Sequence, residues 1–259
     1  MADPRAAHAA RRLGRAKRSS LWFRTAALVG VVLAVAVLGA VLVAGANSSQ
    51  NGRIDSEVSA LLYGIPQDGQ TLGAPTAPVT LQVFAELEDP SSDKWFLTDL
   101  PAILREFVRT DRLRIEYRSF KTNTISSETF VKQQAAALAA GAQNKLWNYA
   151  YIFYCEQGKE YTSYANEGYI ENIARQVPAL NIKQWDIDRN ADPRIEQVVE
   201  EDQQGRADGD HVTPGYRIGR TGGALKDFTG SNSIIYPHQI HATTYASAED
   251  IAKAIDQIH

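Results

Sequence analysis

Val79-Thr80-Leu81-Gln82-Val83-Phe84-Ala85, running into Glu86-Leu87-Glu88-Asp89-Pro90-Ser91-Ser92-Asp93, decides the fold. The first seven residues are largely β-branched or apolar and read as a buried strand. The next eight are mostly polar and carry a proline, which marks a turn. Trp95, Phe96, Leu100, Ile103, Leu104, Phe107 and Val108 then recur at helical spacing. A strand that feeds a helix in this way aims the helix N-terminus at the space above the sheet edge, where α/β folds place their chemistry. Pro101 falls inside the helical pattern and predicts a kink or a restart near Leu100.

Downstream, Leu113-Arg114-Ile115-Glu116-Tyr117-Arg118 alternates with period two and reads as a second strand of the same sheet. A mostly helical stretch then interrupts the alternation of strand and helix. Ser127–Ala140 is Ala-rich, and Lys145–Glu156 carries two adjoining apolar rows, Leu146, Ala150 and Phe153 beside Trp147, Tyr151 and Tyr154. Shorter helices are expected over Gly168–Val177 and Ile182–Asp188, and Asp192-Pro193 reads as an N-cap with Pro at N1, opening a helix to about Gly205. The sheet resumes after Val212-Thr213-Pro214-Gly215, with a hairpin from Tyr216–Ile218 to Leu225–Phe228. Ser247-Ala248-Glu249-Asp250 resembles a capping box that opens a closing helix through Ile258. Upstream, Arg53–Leu62 can form a short helix with Val58, Leu61 and Leu62 on one side. Gly64 to Gly69 is a turn cluster and Gln70–Gly73 a short edge strand.

The 259 residues allow one good-sized domain and an appendage, and the appendage comes first. Residues 1–24 form a basic tail: Arg5, Arg11, Arg12, Arg15, Lys17, Arg18 and Arg24, with only Asp3 opposing them. Residues 26–46 then run without a polar side chain. At about 1.5 Å per residue such a run can cross a hydrocarbon core of about 30 Å. The cations before it and the uncharged polar residues Asn47–Gly52 after it place the N-terminus in the cytoplasm and the remainder outside. The run exceeds the ~7–15 residues of a signal-peptide core, so the reading is a transmembrane signal anchor over 25–46, although Ala44-Gly45-Ala46 would also serve as a cleavage site. Residues 47–63 then read as a linker and short helix, and 64–259 as the outer domain, with its helical insert at about 122–209. The net charge of −3 sums a basic tail and an acidic outer domain, which excludes nucleic acid as the natural partner.

The order strand, helix, strand, helical insert, helix, hairpin, helix resembles an α/β thioredoxin-like fold with the helical insertion of the DsbA family of disulfide oxidoreductases. Gly64-Ile65-Pro66-Gln67-Asp68-Gly69, Thr71-Leu72-Gly73 and Ala77-Pro78-Val79-Thr80 resemble the lead-in of membrane-anchored members. Ala136-Ala137-Leu138-Ala139-Ala140-Gly141, Lys145-Leu146-Trp147 and Glu156-Gln157-Gly158 resemble the insert. Val212-Thr213-Pro214 is similar to the family's cis-proline loop, where exposed backbone groups pair with an extended client. The resemblance also implies a Cys-Pro-X-Cys motif at the start of the helix after the lead-in strand. The first sulfur there is a thiolate stabilised by the helix terminus, and the second resolves the mixed disulfide. This chain has Asp89-Pro90-Ser91-Ser92 at that place, so the proline remains and both cysteines are gone.

The residues around this departure have readings of their own. Asp89 suits an N-cap with Pro90 at N1, and equally a partner contact. Glu86, Glu88, Asp89 and Asp93 cluster as hard oxygens but lack the spacing of a Ca²⁺ loop. Cys155 is the only cysteine, which rules out a disulfide within the chain. It reads as a small buried residue, with a monothiol activity or an intermolecular bridge as the alternatives. His238 and His241 have no third ligand nearby in sequence. The expectation is therefore a redox-inactive binding or scaffold subunit of an envelope or membrane complex. It would have no catalytic residues, metal or cofactor, and Thr213, Pro214 and Asp89 would be its contact residues. The rivals are an envelope chaperone holding extended clients at the proline groove, and a monothiol oxidoreductase using Cys155.

Overall fold

The computed structural model describes residues 52–209, 212–234 and 243–258. The basic tail, the apolar run over 26–46 and the pair His238 and His241 lie outside the described residues. The chain divides into two units, Met1–Gly52 and Arg53–His259, and the second carries the sheet. Among the described residues, no helix is long and apolar enough to cross a membrane.

The first element is a helix over residues 52–62 (α1), and Ile54, Val58 and Leu62 on it are buried in the main core. A small hairpin follows, β1 (Gln67–Asp68) and β2 (Thr71–Leu72). β1 fell inside the stretch read as a turn cluster, and with β1 outside it, β2 is an inner strand of the sheet rather than its edge. At the end of the hairpin, Gly73 has φ +114°, and a Cβ there would come within 3.0 Å of the Leu113 carbonyl oxygen, so only glycine fits. β3 (Val79–Ala85) and β4 (Leu113–Ser119) run parallel in the centre. β5 (Gly215–Arg220) pairs antiparallel with β3, and β6 (Lys226–Phe228) closes the far edge. The order is β1-β2-β4-β3-β5-β6. A separate hairpin, β7 (Asn232–Ile234) with β8 (Thr243–Tyr245), was not expected from the sequence.

The helix after β3 begins as α2 (Pro90–Lys94) and passes through a wider π turn at Trp95–Asp99. It resumes as α3 (Leu100–Ile103) and widens again over Leu104–Val108. The restart expected at Leu100 is therefore present. Pro101 has no N–H for the carbonyl four residues back, and the Leu100 N–H donates five residues back to Trp95.

The insert consists of α4 (Ser127–Gly141), α5 (Leu146–Cys155), α6 (Glu167–Gln176), α7 (Ile182–Arg189) and α8 (Asp192–Ala207). α8 starts one residue earlier than the sequence suggested, with Ala191 as cap and Asp192 already helical. α9 (Ala248–Ile258) closes the chain behind the expected capping box. Its first turn is fastened by Ser247 N–H to Asp250 Oδ2 at 3.0 Å and Asp250 N–H to Ser247 Oγ at 3.2 Å.

Alternation along β3 separates two faces. Leu81, Val83 and Ala85 join Ile115 and Tyr117 in an apolar layer. Phe96 packs there against Trp147 and Tyr154 at centroid distances of 5.7 and 4.4 Å, and Trp95 packs against Tyr216 at 5.7 Å. Each such buried aromatic stabilises the fold by about 1.5–3 kcal/mol. Trp95 also spends its indole N–H on the Ala246 carbonyl at 2.9 Å, tying the central helix to the segment before α9. The opposite face carries Thr80, Gln82 and Phe84 beside Arg114, Glu116 and Arg118 and is polar.

Candidate functional site

Three segments meet where β3 gives way to α2: the turn Glu86–Asp89, the loop after β4 and the segment before β5. Asp89 has an extended backbone and caps α2, with Pro90 as the first helical residue. One carboxylate oxygen accepts the Ser91 N–H at 3.1 Å, and the other accepts the N–H and hydroxyl of Ser92, both at 2.8 Å. The carboxyl is buried. Burial pushes it up to about 7 against the donors from Ser92, Ser91 and Thr213, which pull the other way. Burial likewise raises Asp93 to about 6, with Lys94 opposing. It also raises Glu88, whose carboxylate takes the Gln133 amide at 2.6 Å and feels Glu86 beside it.

Glu86 holds the site together. Its fully buried carboxylate accepts the Thr122 N–H at 2.6 Å, the Thr122 hydroxyl at 2.7 Å and the Thr124 N–H at 2.7 Å, with a further short bond from the Asn123 N–H. Thr122 Oγ1 in turn shares a hydrogen bond with Thr213 Oγ1. The Thr213–Pro214 peptide bond is cis. The insert supports the same turn from below. Tyr154 donates its hydroxyl to the Glu86 carbonyl at 3.1 Å, and Gln157 donates to the Leu87 carbonyl at 2.8 Å.

Sequence reasoning had brought Asp89, Thr213 and Pro214 to one place, and the structure does the same. It puts Asp89, Thr213 and Pro214 below the surface, however, so they are not themselves the accessible contacts. The accessible groups include three apolar side chains beside exposed Thr122 and Ser126. Val212 is 45% exposed, Ile125 66% and Tyr161 46%, and Tyr161 donates its hydroxyl to Asn123 Oδ1 at 2.9 Å. Ile125, Val212 and Thr122 were missed as site residues, while Glu86 was read as part of an acidic cluster and Tyr161 as one of the insert's aromatic residues. Scattered apolar residues in loops carry no periodic signal.

Cys155 sits at the C-terminal end of α5, half-buried. Burial, with Asp93, Glu57 and Glu156 adding to it, pushes the thiol up to about 11. A helix C-terminus disfavours a thiolate as well. Among the described residues, no group of three His, Cys, Asp or Glu side chains could hold a metal ion.

The family model described as thioredoxin matches residues 67–224, well over half of the chain. The chain belongs to the thioredoxin family. In fold the chain is similar to DsbA-like solved structures. It superposes on BdbD from Bacillus subtilis with a TM-score of 0.58 at 14% identity, over 74% of this chain and 96% of that one. DsbA from Chlamydia trachomatis gives a TM-score of 0.54 at 18% identity, over 73% and 90%. A thioredoxin-like oxidoreductase from Silicibacter pomeroyi gives 0.53 at 19%, over 77% and 95%. Identities this low speak for the fold alone. No curated protein sequence matches the chain.

Proposed function

We propose that this protein is a DsbA-like thioredoxin fold held on the outer face of a membrane by its N-terminal apolar run, and that it binds a protein partner rather than exchanging disulfides. The observation that supports this most is the buried Asp89 cap. It stands, with Pro90, Ser91 and Ser92, at the strand-to-helix junction where the family resemblance implies Cys-Pro-X-Cys. A carboxylate at that helix terminus can satisfy the first N–H groups as a thiolate would, but it cannot form a mixed disulfide. The only sulfur that could take its place, Cys155, has a raised pKa at a helix C-terminus, which disfavours the monothiol reading.

The partner surface would be the apolar rim of Ile125, Tyr161 and Val212, held from beneath by Glu86 and tied to Thr213 through the exposed Thr122. The same rim favours a second reading, an envelope chaperone that takes extended apolar clients there. Capture of the full-length protein from its native membrane in mild detergent, read by mass spectrometry, separates the two. The scaffold reading expects one or two partners in fixed stoichiometry that persist under reductant and are lost in an Ile125→Asp/Val212→Asp variant. A broad spectrum of exported proteins would replace it with client holding. Bands that vanish on reduction would replace it with Cys155 chemistry.

A further inference from the structure

The polar face of the sheet carries a cleft with no part in the rim described above. Gln82 lies mid-strand on β3, in register with Glu116 of β4 on one side and Arg217 of β5 on the other. α8 stands over this face and is fastened to it by polar contacts. Glu201 accepts the Ser119 N–H at 2.8 Å, and Asp208 accepts from Arg217 at 2.7 Å. Between helix and sheet is an open cleft of about 780 Å³, within the range of small-molecule sites. Its floor includes Gln82, whose side-chain amide bonds no protein group among the described residues although it sits on the central strand of the sheet.

The two cations that line the cleft, Arg118 and Arg217, are already paired with carboxylates. Arg118 lies 3.4 Å from Glu116 and 3.6 Å from Glu201. Arg217 pairs with Asp208 at 2.7 Å and Asp227 at 3.3 Å, and its guanidinium covers Phe84 at 4.6 Å from the ring centroid. The cleft therefore offers no surplus cation to a phosphate and no bare apolar floor to a lipid. Peptide addition as a strand is closed off too, because the backbone groups of β3 are taken by β4 and β5. What remains are the carboxamides of Gln82 and Gln203, planar groups that donate and accept side by side, and the carboxylate of Glu200, which accepts. A pair of neighbouring sugar hydroxyls, each both donor and acceptor, matches such groups two bonds at a time.

We propose that this cleft binds a neutral saccharide through the Gln82 carboxamide at its floor and Gln203 and Glu200 on the overhanging helix. The test titrates the purified full-length protein in detergent with the trisaccharide of N-acetylglucosamine and with maltotriose. Binding is followed by saturation-transfer NMR and calorimetry, with an unstructured Gly/Ser peptide as competitor. The proposal expects saturable, millimolar-or-better binding of at least one sugar, weakened roughly tenfold by Gln82→Leu or by Gln203→Ala, with the thermal midpoint unchanged. Gln203 is exposed on α8, so its variant keeps the test valid if the strand substitution perturbs folding. No saturable binding of either sugar, binding indifferent to both substitutions, or displacement by the peptide would overturn it.

Discussion

Asp89 is one residue doing two incompatible things: it caps a helix, which favours its charge, and it is buried, which penalises that charge. Burial wins, and the carboxyl titrates near 7. A carboxyl whose folded pKa lies above its unfolded value takes up a proton on folding at the pH values between them. Its contribution to stability is therefore most favourable at the acid end and is lost as pH rises from about 4 to about 7. Asp93, raised to about 6, tilts the dependence the same way. Asp89→Asn keeps a capping oxygen and removes the titration. We expect it to flatten this part of the stability profile, measured by urea unfolding across pH 4–8, while the one N–H left facing the Asn amide costs about 1–3 kcal/mol at every pH. A wild-type profile that climbs with pH through this window, unaltered by the substitution, would show that Asp89 is charged in the fold.

At the scale of elements, the turn after β3, the loop after β4 and the segment before β5 are joined by Glu86 rather than by apolar packing. Glu86→Ala removes the acceptor of the Thr122, Asn123 and Thr124 N–H groups, of which Thr124 is buried and Asn123 half-buried. Leaving such donors unpaired costs ~1–3 kcal/mol each in the worst case, and partial entry of water leaves an expected loss of about 3–5 kcal/mol, checked by chemical denaturation. A loss below ~1 kcal/mol would mean that the loop finds other partners. The elements themselves were largely legible in the sequence. β3 and β4 announce themselves by β-branching and alternation, α5 by its two apolar rows, and α9 by Ser247 and Asp250. β1 was missed because it lies inside a cluster of turn residues, and the β7–β8 hairpin because its three-residue strands, unlike the equally short β6, do not follow a strand across a Gly-Gly turn. The one-residue shift at α8 reflects Asp192-Pro193, a pair that fits equally as cap and N1 or as the first two helical positions. Within the site, Asp89 was legible because capping is a local rule. The linking role of Glu86 and the exposure of Ile125 were not, because they come from contacts between segments far apart in the chain.

Across the whole molecule, the thioredoxin frame is kept where a disulfide exchanger would need it. The strand-to-helix junction, the aromatic layer beneath it and the adjoining Thr213–Pro214 loop are all present. The proposal removes chemistry from that frame at two positions, 89 and 92, and leaves binding. The most direct test is turnover of a reduced dithiol peptide with oxidised glutathione as acceptor, catalysed by the purified full-length wild type and by an Asp89→Cys/Ser92→Cys variant. The account predicts no turnover above background for the wild type, and a gain of at least roughly a hundredfold over that background when both thiols are installed at the helix terminus. Appreciable turnover by the wild type, abolished by Cys155→Ser, would contradict it.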